Sequence, residues 1–201
     1  MRGPSIKGIV IAAVAANVLR LVEQGKISRE QLEVGLEKEE LKLLETKIQP
    51  ALWYSIHSYD RLDRLMADAE AGGDLEGYLR RNGLTMSRLV QQAGLYSQLQ
   101  PAGGSAERSV TALSDWGVKR TLSLWHGMVN FSRVRCRLES DDPPVFRIDV
   151  DEAEPMSPLL RVANAGFLEG VFGYLADAPV RVEIDENRRD HFVYRLRLPE
   201  S

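Results

Sequence analysis

Cysteine and histidine are scarce in this chain of 201 residues. The sequence has one cysteine, Cys136, and three histidines, His57, His126 and His191. A single cysteine cannot form an intramolecular disulfide, which is typical of a reducing compartment, so we expect a cytoplasmic location. A metal site needs three or four converging His, Cys, Asp or Glu ligands, and these residues are too scattered along the chain for that. The sequence therefore predicts neither a disulfide nor a metal site.

Catalytic motifs are also lacking. The sequence has no Gly-x-Ser-x-Gly nucleophile motif, and its glycine pairs at 72–73 and 103–104 belong to no phosphate-binding loop or Rossmann pattern. Cys136 alternates with the apolar Val134 and Leu138, so we interpret its thiol as part of the core rather than as a nucleophile. We predict that the protein is not an enzyme.

Positive charge is not in excess, since the formal net charge is −3 at pH 7. A nucleic-acid surface needs a concentrated excess of Lys and Arg to neutralise phosphates. Arg133, Arg135 and Arg137 do share one face of a predicted strand, and that pattern is typical of a solvated strand face. We therefore expect no nucleic-acid partner.

The apolar run at residues 8–16 is too short to cross a bilayer, so no membrane span is predicted. The run continues as an amphipathic helix over residues 9–24, which we interpret as a buried first helix. Because Ala13-Val14-Ala15 imitates a signal-peptidase site, an exported protein is the alternative. This helix is also our candidate surface for a protein partner or a second copy in a homodimer, through Ile9, Val10, Val14 and Val18.

The rest of the first half reads as helical, with a linker near the middle of the chain. Ser28 fits a capping box with Gln31 at the start of the second helix. Residues 101–105, Pro-Ala-Gly-Gly-Ser, form the clearest linker. The predicted helices after the first are 28–47, 51–71, 74–82 (closed by Gly83), 85–99 and 109–126.

The sequence of the last third predicts two strands, a helix at about 158–176 and two further strands. This order predicts an α+β fold in which an N-terminal multi-helix layer packs on a C-terminal antiparallel sheet of about four strands with one helix inserted, β-β-α-β-β. We expect a single domain over residues 1–201, made of a helical region over 1–100, the linker 101–105 and a helix-plus-sheet region over 106–201.

Aromatic residues at helical spacing are a candidate pocket wall between the two layers, although such residues can equally form ordinary core. The candidate pocket residues are Trp53, His57, Trp125, Phe167 and Phe172. His57 is included because an imidazole one turn from Trp53 can bind a cofactor or sense pH.

The C-terminal block resembles a known superfamily. Residues 165–174, 180–183 and 192–196 are similar to the closing helix and hairpin of haem-nitric-oxide-binding and vinyl-reductase-like domains. Residues 48–54 and Tyr59 extend the likeness to an uncharacterised myxobacterial family related to that superfamily. The resemblance implies a sensory or interaction scaffold.

Two family features are missing from this sequence. Haem-binding members use a helical histidine well before the sheet and a Tyr-x-Ser-x-Arg strand signature, whereas residues 131–135 read Phe-Ser-Arg-Val-Arg and His126 lies too close to the strand. The cysteines that vinyl-reductase-like members carry near the last hairpin are absent. We therefore expect no cofactor, with haem disfavoured and zinc not expected.

The leading hypothesis is a non-enzymatic signalling or regulatory module that binds a small apolar ligand or a partner protein. The alternatives are a haem-based gas sensor with a non-standard ligand, His57 or His126, and a tetrapyrrole-related enzyme suggested by superfamily analogy alone.

Overall fold

Helices dominate residues 3–92, and two helices and four strands share the later part of the chain, in a computed structural model that describes residues 3–92, 118–141 and 144–198. The helices are α1 (Gly8–Glu23), α2 (Arg29–Gly35), α3 (Lys38–Glu45), α4 (Ile56–Glu70), α5 (Leu75–Gln92), α6 (Val118–Met128) and α7 (Pro158–Ala176). The strands are β1 (Ser5–Lys7), β2 (Trp53–Ser55), β3 (Arg133–Asp141), β4 (Pro144–Asp151), β5 (Arg181–Asp185) and β6 (His191–Arg197).

The C-terminal strands form a four-stranded antiparallel sheet in the order β3-β4-β6-β5, with α7 inserted between β4 and β5 along the chain. This arrangement confirms the predicted fold class. Side chains alternate across each strand, so one face of β4 and β6 is fully buried, through Phe146, Ile148, Val150, Phe192, Tyr194 and Leu196.

The opposite face of the sheet is polar and internally paired. Arg147 contacts Asp149 at 2.8 Å, Arg195 contacts Glu139 at 3.0 Å, and the exposed Arg135 contacts Asp151 at 2.7 Å. Three arginines of this face therefore meet the chain's own carboxylates. Arg135 is exposed, as expected of a solvated strand face, whereas the side chains of Arg147 and Asp149 are only 12% exposed.

Helices α5 and α7 touch each other backbone to backbone. A Cβ atom on Gly83 of α5 would lie 1.8 Å from the Ala163 carbonyl oxygen, and one on Gly166 of α7 would lie 2.1 Å from the Arg80 carbonyl oxygen. The sequence-based interpretation of Gly83 as a helix end is wrong, because α5 runs unbroken through it. A glycine is needed at position 83 because α7 packs too closely for a side chain there, and not because the chain turns.

A small two-stranded sheet of β1 and β2 was not predicted. Trp53–Ser55 pairs with Ser5–Lys7, so the helix predicted from residue 51 begins at Ile56 instead. The backbone N–H of Gly8 also donates to the Leu52 carbonyl at 2.8 Å. The pairing partner is distant in sequence, so local periodicity gave no sign of the strand.

The predicted helix 28–47 is two helices. The Ser28 capping box with Gln31 is present as predicted. The chain then becomes extended at Leu36, and Glu37 forms a second capping box with Glu40 at the start of α3. This second box starts a new helix in the segment that Gly35 weakens.

The first helix packs against α4 and supplies core side chains. Val10, Val14 and Val18 are buried, and of the proposed partner stripe only Ile9 is exposed, at 36%. The predicted partner surface is therefore wrong for the three valines, which face the protein interior. In the described ranges, no helix combines the length and the apolar character that a membrane span requires.

Buried Arg161 joins α7 to the turn between β5 and β6. Its guanidinium donates to the Arg188 carbonyl at 2.5 Å, to the Arg189 carbonyl at 2.6 Å and to Asn187 Oδ1 at 2.6 Å. The Tyr194 hydroxyl donates back to the Arg161 carbonyl at 2.8 Å. A cation that the sequence would assign to solvent thus holds the hairpin against the helix.

Several predictions concern residues outside the described ranges. These are the linker 101–105, the first section of the helix 109–126 and the end of the helix 85–99. The division of the single domain at that linker stays a prediction.

We predict that Gly83→Ala destabilises the protein by at least about 2 kcal/mol, because the new methyl group forces α5 and α7 apart. Gly127→Ala on α6 is the matched control, since its Cβ would meet nothing within 4 Å. We expect that control to be neutral or stabilising by up to about 1 kcal/mol, as is usual for Gly→Ala in a helix. Urea unfolding of both variants measures the difference, and equal free energies of unfolding would contradict the proposed close contact.

Candidate functional site

A pocket of about 70 Å³ lies between α1, α4, α5 and α7, with residues of β1 and α6 also in its wall. Its wall is mostly apolar and includes Ile6, Val14, Met66, Met86, Trp125 and Phe167. Its polar members are Tyr59 and Asp63 on α4, Asn82 and Thr85 on α5, Asn17 on α1 and Asn164 on α7. The pocket is therefore mostly apolar, and the part of it at Asp63 and Asn82 is called its polar end.

Helical periodicity explains why these residues share a wall. Tyr59, Asp63 and Met66 are spaced by four and three residues, so they lie on one face of α4. Asn82 and Met86 share a face of α5 in the same way. Because α5 is pressed against α7 at Gly83, that face also meets Ala163 and Phe167.

The predicted pocket residues divide into two groups. Trp125 and Phe167 are both buried and line the pocket. The Trp125 indole N–H donates to Ser132 Oγ at 2.9 Å, which fixes the ring at the end of α6. Trp53, His57 and Phe172 are not in the pocket wall.

Trp53 lies on β2 with the Lys7 ammonium 4.2 Å from its ring centre. Phe172 packs on the sheet with its ring centre 6.1 Å from that of Phe146. His57 is exposed in the first turn of α4, and His126 is exposed on α6 with Nδ1 2.7 Å from the Leu122 carbonyl. Neither histidine reaches the pocket, because both side chains are on the solvent side of their helices.

The polar end of the pocket holds two buried atoms without hydrogen-bond partners. Asp63 is 1% exposed, and its Oδ2 accepts no hydrogen bond within the described structure. Asn82 Nδ2 likewise makes no hydrogen bond of ordinary geometry, although its side chain lies near enough to Asp63 and to Tyr78 to lower the pKa of each as a hydrogen-bond partner does. An unsatisfied buried polar group costs about 1–3 kcal/mol, so native proteins keep few of them.

The electrostatics of this end favour a neutral Asp63. Burial raises its pKa to about 7, the charge of Asp60 adds to that rise, and the facing Asn82 amide opposes it. Burial also raises the pKa of Asp60, against a hydroxyl hydrogen bond that Ser157 donates at 2.5 Å. The Tyr59 phenol has its pKa raised by burial as well. In the folded protein Asp63 is therefore mostly protonated below about pH 7.

Sequence reasoning did not identify Asp63 and Asn82. A signal for Asp63 was present, because the apolar stripe of α4 predicts that position 63 faces the core beside Tyr59, Leu62 and Met66. An acidic residue at such a position is a candidate functional group. Asn82 had no comparable signal, since the helix was predicted to end there.

Residues 3–92, 118–141 and 144–198 contain neither a candidate metal site nor a thiol that ionises near neutral pH. No group of three or more His, Cys, Asp or Glu side chains in these ranges is arranged to hold a metal ion. Burial raises the pKa of Cys136 to about 12, with a further rise from the charge of Asp149, so the thiol stays protonated.

The fold was compared with known proteins. No protein-family model matches the chain, and no curated protein matches its sequence. A mutant of the T. tengcongensis H-NOX domain matches with a TM-score of 0.59, 11% identity and coverage of 97% of this chain and 98% of that one. The S. oneidensis H-NOX protein in the Fe(II)NO ligation state matches with a TM-score of 0.57, 16% identity and coverage of 97% and 100%.

The chain has the H-NOX fold. This result confirms, at the level of the fold, the predicted likeness to haem-nitric-oxide-binding domains. A further match, solved to probe the function of heme distortion in the H-NOX family, covers 97% of this chain at 12% identity with a TM-score of 0.57. The prediction of no cofactor, with haem disfavoured, is contradicted by these full-length matches, which include the structure solved to probe heme distortion.

We predict that Asp63 makes the protein less stable as the pH rises. The unfolded carboxyl ionises near 3.8, but the folded one stays protonated to about 7, so the folded state binds the extra proton between these values. The stability lost across this window is on the order of 4 kcal/mol. Asp63→Asn removes this loss, so the variant gains stability relative to wild type as pH increases.

Urea unfolding of wild type and Asp63→Asn at pH 4 to 8 measures this effect. Asp68→Asn is the matched control on the same helix, because Asp68 is exposed. A constant difference between wild type and Asp63→Asn over that range would contradict the burial of an unpaired carboxyl.

Proposed function

We propose that this protein is a sensory module of a signalling system, in which a small ligand in the central pocket is the input. The observation that supports the proposal is the apolar pocket of about 70 Å³ with its unpartnered polar end. A chamber this size exceeds the roughly 10–15 Å³ that one water needs, and it is smaller than the cavity of about 150 Å³ that holds benzene. The ligand is therefore compact and mostly apolar.

The proposed role is regulatory rather than catalytic. The only cysteine is held protonated by burial, and the described pocket wall offers no nucleophile with a base beside it. The pocket wall is shared by helices α1, α4, α5 and α7, so its occupant can change how these helices pack. We propose that a partner protein or a second copy of the chain reads that change.

Xenon tests the pocket because it binds apolar cavities without needing a polar contact. We expect xenon to shift the amide NMR signals of residues around Val14, Met66 and Phe167. Ala163→Leu fills the pocket wall and should abolish these shifts. Ala16→Leu, at an exposed position of α1, should keep them. Absence of shifts in wild type, or their persistence in Ala163→Leu, would overturn the proposal.

A haem-based sensor is the second candidate, favoured by the full-length H-NOX likeness. The pocket wall offers soft thioethers, such as those of Met66 and Met86, and the phenol of Tyr59, and haem iron accepts both ligand types. None of the chain's histidines is in this wall. A porphyrin is far larger than benzene, so the described pocket does not fit one unless its helices separate.

Titration with hemin distinguishes the two candidates. A one-to-one complex whose Soret band changes in Tyr59→Phe or Met66→Leu would replace the small-ligand proposal with haem sensing. We expect any such band to survive His57→Ala and His126→Ala, because both side chains are exposed outside the pocket. Loss of the band in either histidine variant would contradict the described geometry.

A further inference from the structure

The Asp63 carboxyl lies in the wall of an internal chamber rather than in close-packed core. Asp63 is 1% exposed, its Oδ2 makes no hydrogen bond of ordinary geometry, and the chamber beside it has a volume of about 70 Å³. A chamber of this size has room for a few waters, since one water needs roughly 10–15 Å³. The occupant of the chamber therefore decides whether the carboxyl is next to water or next to hydrocarbon.

The ionisation of a carboxyl group depends on that difference. Water stabilises a carboxylate and an apolar neighbour destabilises it, whereas a neutral carboxyl tolerates both surroundings far better. An apolar ligand that displaces water from the chamber therefore disfavours the ionised form of Asp63. Because the coupling between two binding events is reciprocal, protonation of Asp63 must strengthen the binding of that ligand by the same factor.

We propose that the pocket is a proton-coupled site, which binds a small apolar ligand more tightly when Asp63 is protonated than when it is ionised. The occupant of the pocket and the pH then act on the same helices, and the ligand signal is strongest in acidic surroundings. This inference rests on the proposed function and specifies how the site is regulated.

The side chains around Asp63 place this coupling near neutral pH. Burial and the charge of Asp60 raise the pKa of Asp63 to about 7, and the Asn82 side chain opposes that rise. Burial raises the pKa of the Tyr59 and Tyr78 phenols, so both stay protonated in this range. Asp63 is therefore about half ionised near pH 7, where a small change in pH alters its charge.

The other elements around the pocket bring no compensating charge to Asp63 in the described part of the chain. The wall residues that α1, α6, α7 and β1 contribute are uncharged. The Ser157 hydroxyl donates to Asp60 rather than to Asp63. Further ionisable side chains act on Asp60 and on Tyr78, and these are His57, Arg61, Arg64, Arg20 and Glu70. An ionised Asp63 thus depends on water in the chamber.

Xenon binding between pH 5 and pH 9 tests the coupling, with the amide NMR shifts of the full chain as the readout. We expect wild type to bind xenon roughly tenfold more tightly at pH 5 than at pH 9, which corresponds to a rise of about one pH unit in the Asp63 midpoint on binding. Asp63→Asn is neutral and nearly the same shape, so its affinity should stay constant and close to that of wild type at pH 5.

Two further variants identify the acid that is responsible. Asp60→Asn removes a charge that contributes to the rise in the Asp63 pKa, so it should keep the pH dependence with a midpoint at lower pH. Asp68→Asn changes an exposed residue of the same helix and should keep the wild-type profile.

The reciprocal measurement needs no variant. The carbon-13 titration midpoint of the Asp63 carboxyl should move to higher pH under saturating xenon, by the amount that the pH profile of xenon affinity requires. This measurement keeps the test decisive if Asp63→Asn fails to fold.

Several outcomes would overturn the inference. Equal xenon affinity of wild type at pH 5 and pH 9 means that the charge of Asp63 does not act on the chamber, and the pocket itself then stands. Tighter binding at pH 9 means that the ionised form is favoured. A pH dependence that survives Asp63→Asn belongs to another group. If xenon binds at no pH, the proposed function fails, and the inference fails with it.

Discussion

The backbone contact between α5 and α7 is the constraint on which the pocket depends. Gly83 and Gly166 allow each helix to approach the other's carbonyl oxygens more closely than any side chain would permit. The contact orients α5 so that Asn82 and Met86 face α4 and α7, and it anchors α7, whose other side covers the sheet. Because interiors are densely packed and not continuously deformable, a change at this crossing reaches the pocket wall directly.

The polar end of the pocket lowers the stability of the fold. The sheet face, α1 and α4 bury apolar side chains almost completely, whereas Asp63 and Asn82 leave polar atoms unpaired in the same interior. Buried polar groups without partners are rare in folded proteins, and those that persist are often functional. The H-NOX fold supplies the chamber, and the chemistry of this particular chamber comes from the side chains of this chain.

Local patterns in the sequence predicted the fold well where they repeated. The alternation in the last strands and the helical stripes of α1 and α4 gave the β-β-α-β-β order and the helical layer. They failed where distant segments decide the structure. The sequence predicts a helix end at Gly83, but the glycine is there because α7 packs against it. The sequence also predicts helix for Trp53–Ser55, but these residues form a strand because they pair with β1. The pocket was predicted through Trp125 and Phe167, but its polar end was not, because Asn82 meets Asp63 only after α5 folds back.

The proposed pocket requires that the Asp63 carboxyl is buried, makes no hydrogen bond of ordinary geometry and faces a mostly apolar wall. The most direct measurement is a carbon-13 NMR titration of the Asp63 side-chain carboxyl in the folded protein. The account predicts a midpoint near 7, well above the ordinary 3.8 of an aspartate. A midpoint at or below that ordinary value would mean that Asp63 is solvated or paired, and it would contradict the polar end as described.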